Sequence, residues 1–299
     1  MPHVAIVTPS FLPDLERCEL LAEGVARFAS PEHRHVVIVP RADLPAFRER
    51  IERHGAMVIP EEDLLPSWLL RLPLTRKWQL TPRGWPVRGW IRQQVVKIAF
   101  GCLSTADVLL FVDSDTCVVR PFDASLMLRA DGRVKLLADG EGNTPRHRPW
   151  YHRAGRLLGI PVKDYYGHGF IGNLVPWVPE HVRGMVRRIE EVSGGDWKTL
   201  LLHQKTISEY VLYGVYVEEV LGLEASRHVA EATRPVIEYW EGNDLSNERL
   251  LEFVGTLASD QIAIHVQSKV PYSFEFLART VRGLWEQAEA GRRGASATR

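Results

Sequence analysis

"VLLFVDSDTCVVRPF", residues 108–122, is an apolar run that stops at two aspartates with one serine between them. Unbroken apolar character over a short stretch describes a strand buried on both faces, as in the middle of a parallel sheet. Asp113 and Asp115 then stand at its carboxyl end, where open α/β sheets bind their ligands. A capped loop is the plain reading of such a pair. A metal site is the other. On extended chain residues i and i+2 project to one side, and a hard divalent cation with oxygen ligands relieves the repulsion between adjacent carboxylates.

Upstream, Val4–Val7 forms a first strand ended by "TPS", and Leu15, Cys18, Leu21, Ala22, Val25 and Phe28 recur at helical spacing, predicting a helix over 14–29. A strand over 35–40, a helix over 43–54 and a strand over 56–60 continue the alternation, which argues for βαβ units and a mostly parallel sheet. Residues 60–90 break the rhythm with Pro60, Pro66, Pro73, Pro82 and Pro86 interleaved with Trp68, Trp78, Trp85 and Trp90; this is either a packed insertion or a substrate lid. "GWIRQQVVKIAFGCL" resumes helical periodicity over 89–103 and leads into the strand that carries the aspartates. Further on, the pattern predicts a strand over 134–139, a polar loop over 140–153 able to close over the site, and a glycine-flanked strand over 167–177. A periodic helix through Val178, Val182, Met185, Val186, Ile189 and Val192 follows, then a helix over 203–222, a strand over 262–267 and a helix over 273–289. One domain over 1–290 is expected, with a nucleotide-binding half (1–122), an acceptor-binding half (123–290) and a disordered tail at 291–299.

With 299 residues and 45% hydrophobic content, the chain can bury a substantial core. Its 37 basic and 37 acidic residues balance, so no global field draws nucleic acid or an anionic membrane. Cys18, Cys102 and Cys117 have neither metal-ligand spacing nor the even count of a disulfide framework, which points to a reducing compartment. No apolar run approaches the roughly 20 residues of a membrane span, and the first apolar stretch is too short for a signal peptide. A soluble cytoplasmic protein without a transmembrane anchor is expected.

Thr8, Pro9 and Ser10 end the first strand, where a nucleotide crevice opens; the competing role is capping of the next helix by Ser10 or Asp14. No G-x-G-x-x-G follows, which argues against a dinucleotide site. Arg92 reads as part of a solvated helix face. Lys97, between Val96 and Ile98, reads equally as a phosphate partner or a snorkelling side chain.

"DVLLFVDSDTCVVRPF" resembles the metal-binding strand of GT-A-fold glycosyltransferases, which use nucleotide sugars. "WIRQQVVKIA" resembles their helix bearing an Arg and a Lys turned toward the donor, here Arg92 and Lys97. "GHGFIGNLVPW" resembles the segment after the metal site in glycogenin-like and lipopolysaccharide galactosyltransferases. "HVQSKVP" resembles a late His-x-x-Gly-x-x-Lys-Pro element, which makes His265 a third metal ligand and Lys269 a pyrophosphate contact; Ser268 replaces the glycine and the Lys spacing is shorter by two. W-x-R-Q-Q-x-x-K, D-S-D-T and S-E-Y-x-x-Y-G together also resemble a bacterial group of GT-A-like proteins. The resemblance runs in order over residues 3–275. It implies a Rossmann-type α/β/α sandwich with a mostly parallel central sheet, and Mn²⁺ or Mg²⁺ held by Asp113, Asp115 and His265. It also implies a nucleotide-diphosphate sugar donor, foremost a UDP-sugar, and a hydroxyl-bearing acceptor. "ISEYVLYG" stands where retaining relatives carry Asp-Gln-Asp, so no stereochemistry is implied. Haloacid-dehalogenase-type phosphatases share the outline but need Thr or Val where Cys117 stands.

The expected activity is metal-dependent glycosyl transfer. Its alternatives are a non-catalytic nucleotide-sugar-binding protein and a sugar nucleotidyltransferase, although "TPSFLPDLERC" lacks the phosphate loop of the latter. Glu209 is the candidate catalytic carboxylate, a base if configuration inverts, with an ordinary helix glutamate as its plain reading. Asp164 and Glu141 are held in reserve. Tyr210, Tyr213 and Trp177 either stack on sugar or fill the core.

Overall fold

β1 (Val4–Pro9) is buried at every position, α1 (Leu15–Phe28) covers it with the predicted stripe of apolar residues, and β2 (Arg34–Val39), α2 (Leu44–Ile51) and β3 (Met57–Pro60) repeat the unit. The computed structural model describes residues 2–71, 78–80, 86–240, 242 and 244–297, with backbone alone at 70–71, 78–80 and 291–297. Pro73, Pro82 and Trp85 of the proline-rich excursion lie outside the described residues. Around them β4 (Leu70–Arg71), β5 (Trp78–Leu80) and β6 (Pro86–Arg88) pair antiparallel as a meander.

α3 (Gly89–Leu103) spans the predicted residues and enters β7 (Val108–Phe111), the strand of the acidic pair. Next come β8 (Thr116–Val118), β9 (Val134–Leu137), α4 (Arg148–Leu158), β10 (Val175–Trp177), α5 (Pro179–Ser193), α6 (Trp197–Leu202) and α7 (Glu209–Val215). A π-helical stretch, Tyr216–Leu221, extends α7. β11 (His228–Glu231), β12 (Val236–Tyr239), α8 (Asn247–Gly255), β13 (Ala263–Val266) and α9 (Phe274–Ala297) complete the order.

The central sheet runs β10-β7-β1-β2-β3, parallel throughout except for β10, which lies antiparallel against β7. Alternate side chains leave opposite faces of a strand. Thus Ala5, Val7, Leu109 and Phe111 enter one core with α3 to α7, and Val4, Ile6, Val108 and Leu110 enter another with α1, α8 and α9. Both cores draw on residues before and after 122. A second sheet, β12-β13-β8, pairs β8 antiparallel with β13, so the chain just after the aspartates is tied to its last strand. No helix among the described residues is long and apolar enough to cross a membrane.

Several elements differ from the sequence expectation. The 140–153 loop gives way to α4 at Arg148, because Pro149 sits in the first helical turn, where its missing N–H costs nothing. Of 167–177 only Val175–Trp177 is a strand; Gly169 forms a single bridge to Asp139, and Leu174 takes a left-handed φ of 58° that breaks the extension. The helix expected from 203 starts at Glu209, where Ser208 caps it by accepting the Val211 N–H. α9 continues to Ala297 where a disordered tail is expected from 291, consistent with helix propagation from the packed turns of Leu277, Val281 and Trp285. Thr298 and Arg299 lie outside the described residues.

Candidate functional site: an acidic turn facing a buried lysine

β7 delivers the chain to the carboxyl edge of the central sheet, where Val112 N–H still bonds Val7 O at 3.1 Å. The backbone then turns. Thr116 N–H donates to Asp113 O at 3.1 Å, so the two aspartates sit on a turn and not on the extended chain that would aim them together. Asn173 buttresses it: its Oδ1 accepts the Asp113 N–H at 3.1 Å and the Thr116 hydroxyl at 3.2 Å.

The two carboxylates take different cations. Lys97, on α3 and only 3% exposed, places Nζ 3.1 Å from Asp113 Oδ1, 2.9 Å from Glu209 Oε1 and 2.9 Å from Tyr210 OH. An ammonium has three N–H groups, and all three are used. Burial pulls the Lys97 pKa down, but Asp113 and Glu209 outweigh it and the ammonium ends well above its ordinary value. Lys97 is therefore neither a snorkelling side chain nor a free phosphate ligand in this arrangement. Glu209 opens α7, is itself buried, and its N–H donates to Gln94 Oε1 at 2.9 Å, so α3 and α7 are joined twice at this point.

Asp115 turns the other way. Its Oδ1 lies 3.3 Å from His265 Nδ1, and its Oδ2 accepts the Ser268 N–H at 2.8 Å. Burial would raise the Asp115 pKa, but the His265 and Ser268 contacts bring it below the carboxylate norm. Burial would lower that of His265, but Asp115, with Asp113 and Glu238 beyond, raises it above the imidazole norm. The other ring nitrogen of His265, Nε2, is buried and has no hydrogen-bond partner.

Asp14 also belongs to this neighbourhood: burial first, then the charges of Asp115 and Asp113, keep its pKa raised against the pull of Arg17. Arg17 in turn donates from Nε to Tyr272 OH at 3.0 Å, clamping the chain after β13 onto α1. Sequence reasoning missed Asn173, Arg17 and Tyr272 and weighed Asp14 only as a cap; no capping bond forms from its side chain.

The remaining sequence candidates scatter. Thr8 is fully buried, with Oγ1 3.0 Å from His35 Nε2, and so faces β2. Pro9 closes β1, and the Ser10 hydroxyl is buried without a hydrogen-bond partner. Arg92 is buried and not on a solvated face, ion-paired with Glu61, whose Oε2 lies 3.2 Å from its Nε. Lys269 is exposed, with no ion pair among the described residues. Glu141 lies 3.3 Å from Arg234, and Asp164 pairs with His152 at 2.6 Å on the surface. Trp177 and Tyr213 are core residues stacked at 4.6 Å, while Tyr210 meets Lys97. A concavity of about 350 Å³ between α1, α2 and α9, lined by Glu16, Glu19, Arg50 and Arg279, shares no residue with the acidic turn.

Among the described residues no three His, Cys, Asp or Glu side chains form a metal-holding group. The donor types nonetheless fit a small divalent cation, which commonly takes one or two protein carboxylates and completes its shell with phosphate and water. Two ionisable carboxylates and the unpartnered Nε2 of His265 are such a set.

The fold is thus mixed α/β around a mostly parallel central sheet, with a polar constellation at its carboxyl edge. The chain belongs to a family of unknown function, DUF6492, whose model matches residues 1–245. That span contains Lys97, Asp113, Asp115, Asn173 and Glu209 and ends before His265. A search of curated proteins gave no match.

Proposed function

We propose that the protein is a GT-A-type glycosyltransferase that moves a sugar from a nucleotide-diphosphate donor, foremost a UDP-sugar, to a hydroxyl-bearing acceptor. The observation that carries this reading is the acidic turn at the carboxyl end of a central parallel strand, faced by a buried lysine. Asp113, Asp115 and His265 would hold Mn²⁺ or Mg²⁺. Such an ion, when bound, supplies Lewis-acid stabilisation of charge on the departing diphosphate.

The chain's own groups do the rest. In the transfer the anomeric carbon–oxygen bond breaks, the nucleoside diphosphate leaves with the electron pair, and the acceptor oxygen forms the new bond and gives up its proton. Lys97 offsets the charges of Asp113 and Glu209, so that less negative charge at the acidic turn opposes an entering diphosphate. Glu209, buried and bonded to Lys97, positions that lysine, and it receives the acceptor proton once the contact opens on acceptor binding. Ser268 N–H and His265 hold Asp115 ionised.

Incubation of the full chain with a panel of nucleotide sugars and Mn²⁺ tests the reading. Slow release of nucleoside diphosphate from one donor, stopped by chelator, is the expected result. No release from any donor, with or without small glycosides as acceptors, contradicts it.

A further inference from the structure

Behind the acidic turn stands a carboxylate that the proposed reaction does not use. Glu238, on β12, has a side chain only 6% exposed, and both of its oxygens are committed. Oε1 accepts the main-chain N–H of Asn173 at 2.8 Å and the Nδ2–H of the same residue at 3.2 Å. Oε2 accepts the Arg234 guanidinium and, at 3.3 Å, the indole N–H of Trp240. A buried carboxylate needs a cation, and Arg234 provides one. Neutralising Arg234 does not explain the other three bonds, since Asp139 already accepts its Nε at 2.9 Å.

Those three bonds lead to the two aspartates by two routes, which touch only where the Thr116 hydroxyl, bonded to Asn173, lies 3.4 Å from His265 Nδ1. Because Glu238 takes both N–H groups that Asn173 turns toward it, the Asn173 amide is held in one orientation. Its Oδ1 is thereby aimed at the Asp113 N–H and the Thr116 hydroxyl. A flipped amide would set its NH₂ against the Asp113 N–H and its oxygen against Glu238 Oε1. On the other route, the Trp240 ring lies 4.4 Å from the His265 ring, centroid to centroid, and His265 Nδ1 lies against Asp115. The indole N–H bond to Glu238 fixes the rotation of that ring.

We propose that Glu238 is the positioning residue of the acidic turn, setting Asp113 through Asn173 and Asp115 through Trp240 and His265. This deepens the glycosyltransferase reading and rests on it for purpose, but the geometry it asserts is testable without any ligand. Groups behind metal-site ligands commonly change metal affinity by about 10–100-fold when altered. Glu238 is placed to do so without touching an ion or a donor.

The test uses the full chain free of metal and reads amide hydrogen exchange at Asp113, whose N–H bonds Asn173, and at Ser268, whose N–H bonds Asp115. Glu238→Gln is expected to speed both by about tenfold, the factor that accompanies loss of one hydrogen bond of ordinary net strength, with Val7 in β1 unchanged. Unchanged exchange at both amides overturns the proposal. Trp240→Phe keeps the ring and removes only the indole N–H, so it covers the case in which Glu238→Gln does not fold. It should speed Ser268 by more than Asp113, which it reaches only through the long Thr116–His265 contact; an effect at Asp113 as large as at Ser268, or no change at Ser268, overturns the two-route assignment. Titration with Mn²⁺ alone then separates the two claims. Affinity about 10–100-fold weaker in Glu238→Gln supports both, whereas faster exchange in a protein that binds no Mn²⁺ keeps Glu238 as the positioning residue and removes the metal.

Discussion

Lys97 Nζ and Glu209 Oε1 meet at 2.9 Å across 112 residues of sequence, in a place from which solvent is almost excluded. A buried lysine is costly unless a carboxylate accompanies it. The contact therefore joins α3 to α7 at the same point at which Asp113 comes down from β7.

Lys97→Met strands Glu209 without its cation. Removing one partner of a buried pair costs about 3–5 kcal/mol, and urea denaturation should show a loss of that size. Lys97→Met with Glu209→Gln should recover a good part of it, because the more deeply buried of the two orphaned charges is gone and only the part-exposed Asp113 remains unpaired. A double variant no more stable than the single one would show that Glu209 is not what the lysine stabilises.

Asp115 and His265 make metal-free stability depend on pH. The His265 pKa is raised above 6.5, so its contribution is complete below that value and is lost as pH rises through the higher folded-state pKa. Asp115 is lowered below 3.8, so its contribution is complete above that value and is lost as pH falls through the lower folded-state pKa. The pair is at full strength between the two. Denaturation midpoints should decline on the alkaline side in the wild type relative to His265→Gln. Parallel profiles from about pH 5 to about pH 9 would show that the pair is not coupled to folding.

Gly24→Ala tests how tightly α1 sits on β8. An alanine Cβ there would stand 2.7 Å from the Val118 carbonyl oxygen, which is backbone and cannot swing aside. On an open helix the change would stabilise by about 1 kcal/mol. Here overpacking should reverse the sign, costing about 1–3 kcal/mol. Thermal melting gives the answer, and a raised midpoint would mean that the helix and strand are farther apart.

The alternation from β1 to β7 is legible because each element carries its own period. Ile91, Val95 and Ile98 mark α3 without outside help. That α3 also buries Arg92, Gln94 and Lys97 is not legible, because it follows from Glu61 and α7 packing over the polar side, contacts made far along the chain. Proline punctuation misleads at Pro149, which begins a helix and does not break one. Asp113, Asp115, Lys97 and Glu209 could be singled out by residue type and position, and three of them meet. Asn173, Glu238 and Trp240 could not. They lie in short irregular or edge segments, and their roles arise only when those segments converge on the turn.

Calorimetric binding of UDP with Mn²⁺ and with chelator, to the wild type and to Asp115→Asn, addresses the acidic turn most directly. Mn²⁺ should tighten UDP binding at least about tenfold in the wild type, a coupling within the usual range for two ligands that share a site, and the variant should fold but lose this dependence. Binding of UDP that is equal with Mn²⁺ and with chelator, or a dependence that survives in Asp115→Asn, would contradict the metal role of the acidic turn.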